Sequence, residues 1–187
     1  MRRSSESRQI MNAQKRKQWI FELAVFPMLG AIMFCSKLLM EFLPNIHIVG
    51  MLIMLYTVVF RWKALIPIYI FVFLTGIYAG FGFWWLPYLY IWAILWAVTM
   101  LLPKNMPRAA ALVVYPIVCG AHGILFGVLY APAQALMFGF DFEMTCAWIA
   151  SGFYFDLLHG IGNVIFGTFV YPLSTLFKRL MKKQLNS

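Results

Sequence analysis

Acidic side chains are scarce: Asp and Glu number 6 in 187 residues against 15 Lys and Arg, and charged residues of both signs make up only 11%. A soluble globular domain is about one quarter charged, so this chain has too little charge to cover a water-facing surface. Cysteine is also rare. Cys35, Cys119 and Cys146 stand alone, with no CxxC pair and no Cys/His ligand spacing, so no disulfide framework or zinc site is expected and all three are small apolar fillers. The chain lacks a GxxxxGK[ST] phosphate loop, which leaves it without a P-loop energy source of its own. It also lacks a GxSxG turn; Ser151 lies off the helical face of His159, which argues against a hydrolase dyad. A metal site built from Asp156, His159 and His122 would come without HExxH or a carboxylate cluster. No catalytic residue, metal or cofactor is therefore expected.

What the chain does have is apolar surface: 63% of residues are hydrophobic and 18% aromatic. This is the composition of an integral membrane protein. The net charge is +9, and the basic residues other than Lys37 cluster at the two ends (Arg2, Arg3, Arg8, Lys15, Arg16, Lys17; Lys178, Arg179, Lys182, Lys183) and in two short loops (Arg61, Lys63; Lys104, Arg108). That distribution suits orientation and contact with anionic lipid, not a groove for nucleic acid.

A span needs about 20 apolar residues. Reading between charges and turn residues predicts six: Trp19–Met40, Ile46–Phe60, Ala64–Gly80, Leu86–Leu102, Ala109–Leu136 and Ala147–Phe177. The first is too long for the apolar core of a secretory signal and lacks a small-residue cleavage site, so it is expected to remain as a span. With both termini inside, every Lys and Arg except Lys37 is cytoplasmic, while Glu41, Asp141 and Glu143 are external. The expectation is an all-α membrane protein of six transmembrane helices with both termini cytoplasmic, multi-pass in the cell membrane. A basic N-terminal segment (1–18) precedes the membrane domain (19–177), and a basic tail (178–187) follows it. Gly76-x-x-x-Gly80 and Gly123-x-x-x-Gly127 are spaced for close helix approach, and Gly152, Gly160 and Gly167 share the stripe of Asp156. No inverted repeat of the large-transporter type is present.

The polar residues inside these runs are the candidates for function. Asp156, His159 and Asn163 fall within about 60° of one another at 100° per residue, so they share a stripe on the last span. Ionisable groups there are costly and normally face a cavity or the bundle interior. His122, Tyr130 and Gln134 lie in the fifth span. Trp84, Trp85 and Tyr88, with Tyr90 and Trp92, form either an interfacial belt or a stacking surface for a flat ligand. In the outer turn after the first span, Lys37 and Glu41 are spaced for an ion pair, and Asn45 and His47 follow Pro44 as a cover for an outward-facing site.

Six spans in under 200 residues, basic cytoplasmic ends, the outer turn and a last span reading FDLLHGIGNVIFGTFVYPLSTLFKRLMKK together resemble the substrate-binding S components of energy-coupling factor (ECF) transporters. The most specific part is the D-x-x-H-x-x-x-N stripe followed by Tyr171-Pro172-Leu173 and a basic tail. The resemblance implies capture of a vitamin or related nutrient from outside. It also implies docking on a transmembrane coupling protein with two ATPase subunits. Family members commonly carry AxxxA on the first helix as the docking face; here FPMLGAIMFC offers Gly30, Ala31 and Cys35. The metal-ion branch of the family uses a His near the amino terminus, which MRRSSES lacks. The competing reading is a self-contained small carrier or channel, and after it an intramembrane enzyme.

Overall fold

The computed structural model describes the backbone over residues 2–186 and side chains over 15–183; the side chains of Arg2, Arg3 and Arg8 lie outside those described. Among the described residues eight α-helices follow one another: α1 Arg2–Leu39, α2 Val49–Phe60, α3 Leu65–Ala79, α4 Tyr88–Leu101, α5 Arg108–Ile124, α6 Phe126–Phe138, α7 Phe142–Gly167 and α8 Val170–Asn186. No strand occurs among the described residues. Five stretches are long and apolar enough to cross a membrane: Lys15–Leu39, Val49–Ala79, Phe83–Leu101, Arg108–Phe138 and Phe142–Gly167. Large apolar side chains such as Leu39, Leu136 and Phe142 stand on the exterior, while Met33, Ile53, Phe71 and Trp92 fill the interior. Where both sides are apolar, close packing and hydrogen bonds replace the hydrophobic effect as the force between helices.

The 31-residue run Val49–Ala79 bends back on itself at the 3-10 turn Arg61–Ala64. Going down α2, Tyr56 donates to the Leu29 carbonyl (3.4 Å), Phe60 meets Phe26 edge-on and Lys63 pairs with Glu22. Going along α3, Pro67 and Ile70 lie against Gly30, and Phe34 meets Tyr78. The partners on α1 descend from 29 to 22 and then climb from 30 to 34, so α2 and α3 are antiparallel. Arg61 makes the reversal at φ 56°, and its guanidinium donates to the Met100 carbonyl at 2.6 Å, which ties the turn to the end of α4.

Two of the expected spans are broken. Ala109–Leu136 is interrupted at Leu125 (φ −86°, ψ 3°), which separates α5 from α6. Ala147–Phe177 ends at Gly167, where the Thr168 and Phe169 amides turn back to Ile165 and Phe166. Pro172 then sits in the first turn of α8, where its missing N–H costs no helical bond. α8 is amphipathic: Val170 and Ser174 are buried, whereas Lys178, Arg179, Lys182 and Lys183 are exposed. The small-residue pair Gly76/Gly80 also differs from expectation. Gly76 lies beneath the rings of Phe81 and Trp85, while Gly80 terminates α3 at φ 84°.

Glycine does shape the α5–α6 face of α7. A Cβ on Gly123 would stand 2.8 Å from the Gly160 Cα and N, and one on Gly167 would stand 2.7 Å from the Pro116 Cα. Those neighbours are backbone and cannot turn aside. Gly123→Ala is therefore expected to push α5 from α7 and destabilise the protein by about 1–3 kcal/mol, visible as a lowered melting temperature in detergent. Gly152→Ala, whose Cβ would meet nothing within 4 Å, is the matched control and should not lower it.

Candidate functional site

The glycine seam decides where the polar residues of α7 end up. At its outer part α7 passes the N-terminus of α6, whose first N–H groups have no partner in their own helix. The Asp156 carboxylate accepts from the Gly127 amide at 3.0 Å, in space that a Cβ on Gly127 would fill at 2.2 Å. A carboxylate is favoured there by the positive end of the helix dipole. The Leu125 break thus creates the orphan donor, and Asp156 satisfies it from across the bundle.

The stripe then splits by height. Asp156 lines a cavity of about 500 Å³ together with Trp84, Tyr130, Gln134, Trp148 and Asn45. One turn further in, His159 lines a second cavity of about 320 Å³ with Lys37, Glu41, His47 and Tyr88. Asn45 and Phe126 line both, so the two cavities adjoin there. Asn163 reaches neither cavity: it is fully buried, donates to the Cys119 carbonyl at 3.2 Å and packs against Gly50 and Gly123. Residues sharing one helical face thus serve three different environments, because 1.5 Å of rise per residue separates them along the axis.

Behind the smaller cavity lies an aromatic cluster. His47 meets His159 edge-on at 4.7 Å and Trp92 at 6.2 Å, while His122 lies 5.8 Å from Trp92 and Phe126 lies 5.1 Å from His159. His122 Nε2 is 3.1 Å from the Ile91 carbonyl, which makes that nitrogen the N–H donor. Four nitrogens of this cluster are buried without a partner, His47 Nδ1, His122 Nδ1, His159 Nε2 and Trp92 Nε1, as are Arg61 Nε and Asn163 Oδ1 elsewhere. Buried polar groups are usually paired, and each orphan costs about 1–3 kcal/mol. Of the four residues, His47 and His159 line the smaller cavity, whereas His122 lines a separate apolar one of about 210 Å³. The described residues contain no group of three or more His, Cys, Asp or Glu arranged to hold a metal ion.

The remaining candidates divide clearly. Trp84 offers its carbonyl to the Tyr130 hydroxyl at 2.7 Å, and Tyr130 stacks on Trp148 at 5.8 Å. Trp85 stands apart from both cavities: its indole N–H donates to the Val72 carbonyl and pins the chain entering α4 onto α3. Lys37 forms no salt bridge with Glu41. The helix ends at Leu39, so Glu41 is off the i,i+4 position, and the Lys37 ammonium lies 5.7 Å over the Tyr88 ring. On α1, Gly30 is buried against Ile70, whereas Ala31 is half-buried and Cys35 exposed. Trp148 and Phe126 were not singled out by the sequence. Phe126, four residues after His122, is the one with a spacing signal.

No protein-family model, curated protein or solved structure matches the chain.

His47 lies in the outer turn before α2. Burial, followed by the nearby Lys37 ammonium, lowers its pKa from 6.5 to about 4. The imidazole is thus neutral in the folded protein, while the unfolded chain takes up a proton below 6.5. Folded stability should be level above pH 6.5 and decline as pH falls from 6.5 towards 4. Thermal melting across that range should show the decline, with a shallower slope for His47→Gln.

Proposed function

We propose that the protein is the membrane-embedded substrate-binding subunit of an ECF-type importer, taking a small water-soluble vitamin or related heterocycle from outside the cell membrane. The observation that carries this reading is a cavity walled by His47 and His159, with Trp92 and His122 packed in turn behind His47, each of the four carrying a buried and unpaired ring nitrogen. The adjoining cavities, about 500 and 320 Å³, match the size range of small-molecule sites. Neutral imidazoles can each donate and accept, as a heterocycle's ring nitrogens and carbonyls require.

The topology follows in the same reading. The reversal at Arg61–Ala64 turns five apolar stretches into six crossings. Arg61, Lys63, Lys104, Arg108 and the basic face of α8 then lie on one side, which the positive-inside rule makes cytoplasmic, and both termini share it. Asn45 and His47 lie at the opposite, external end. Energy comes from a coupling protein and two ATPases. Ala24, Met28, Ala31 and Cys35 recur at i, i+4, i+7 and i+11 on the lipid-facing side of α1 and form the docking stripe, while Gly30 serves only the contact with α3.

Four outcomes are expected. In a binding titration with the small molecule that co-purifies with the protein, identified by mass spectrometry, His159→Ala should weaken affinity by about 5- to 150-fold, the equivalent of one unpaired group. Asn163→Ala should lower the melting temperature with affinity retained. Vesicles holding this chain alone should bind but not accumulate the ligand; uptake without an ATPase would instead establish a self-contained carrier. Ala31→Trp should weaken pull-down of the coupling module and leave ligand affinity intact.

A further inference from the structure

The larger cavity has an unusual combination of walls. Aromatic rings dominate it, among them Trp84, Phe126, Tyr130 and Trp148, and its single charged side chain is Asp156. Asp156 is 95% buried by its 5% exposure, and only its Oδ2 has a partner, the Gly127 amide. Its second oxygen is left for whatever occupies the cavity. Among the described residues the one salt bridge is Lys63–Glu22 at the opposite end of the bundle, so no cation of the chain itself neutralises this carboxylate. Lys37, the cationic side chain nearest the site among the described residues, lines the adjoining smaller cavity and not this one. A buried carboxylate within walls of aromatic faces is the arrangement that selects an organic cation, since ring quadrupoles and the carboxylate attract positive charge together.

We propose that the ligand of the outer site is a flat organic cation, with a protonated or quaternary ring nitrogen, and that Asp156 is its counter-ion in the larger cavity. This rests on the binding-subunit reading and names the ligand class. The polar remainder of the ligand extends past Phe126 to His159, His47 and Lys37. Asp156 thus holds the α6 terminus with one oxygen and the ligand with the other, which couples the α6–α7 contact to occupancy.

The test is equilibrium dialysis of the full chain in an uncharged maltoside detergent, free of ammonium headgroups, against three isosteric probes: the cation 1-methylnicotinamide, neutral nicotinamide and anionic nicotinate. The cation should bind saturably and about tenfold or more tightly than either isostere. Asp156→Asn keeps a carbonyl oxygen for the Gly127 amide while removing the charge, so it should abolish the preference without lowering the melting temperature greatly. Trp148→Leu, remote from that hydrogen bond, should weaken the cation more than nicotinamide. Nicotinamide or nicotinate binding as tightly as the cation would overturn the cation assignment and leave the binding-subunit reading standing, as would an Asp156→Asn protein that keeps the preference. No saturable binding by any probe, with no small molecule co-purifying, would overturn both.

Discussion

The backbone contact between α5 and α7 at Gly123 and Gly160 is the constraint on which the rest of this molecule depends. An added Cβ on Gly123 would stand 2.8 Å from backbone atoms, so the two helices touch along a seam that admits no side chain. That proximity lets a short carboxylate reach the Gly127 amide and places His159 against Phe126 and His47. With a wider separation, Asp156 would be a charge in an apolar bundle with no donor at hand, a costly arrangement. The seam, the break at Leu125 and the carboxylate form one device: the break frees a donor, the glycines admit α7, and Asp156 supplies the acceptor.

Buried polar groups without partners gather toward one end of the bundle. At the Arg61–Ala64 turn Arg61 donates to the Met100 carbonyl, Trp96 to the Arg61 carbonyl and Lys63 to Glu22, although Arg61 Nε is buried and unpaired. At the end that carries the His47 turn, ring nitrogens of His47, His159, His122 and Trp92 are buried and unpaired together. A membrane interior offers little water to repair such a deficit.

Much of this was legible in the sequence, and the rest was hidden for identifiable reasons. Apolar runs between charges locate α2, α3 and α4 within about three residues at each end, whereas α1 continues as helix back to Arg2, through the basic segment that composition set apart from the first span. Pro172 marked the start of α8, yet the continuous hydropathy of Val164–Phe177 outweighed it and the last span was drawn too long. Leu125 is neither Pro nor Gly, so the residue type at the break between α5 and α6 gave no signal of it. The 60° stripe of Asp156, His159 and Asn163 was correct as an angle, but an angular reading omits height, and height sends Asn163 into a helix contact. Trp85 and Trp84 are neighbours with the same chemistry, and only the fold shows that one pins α3 while the other lines the larger cavity. Gly30 looked like part of a docking face because small residues permit close approach to any helix; its partner is α3 of the same chain.

The placement of the tryptophans has an optical consequence. Of the 7 in the chain, Trp84 and Trp148 line the larger cavity and Trp92 stands behind the smaller one, while Trp19 and Trp62 are more than half exposed on the outer surface of the bundle. The indoles therefore form two populations in different surroundings. Quenchers held at the membrane–water interface reach one, and a molecule seated between the rings reaches the other. Emission from this protein carries separate records of the bilayer around it and of the chamber within it.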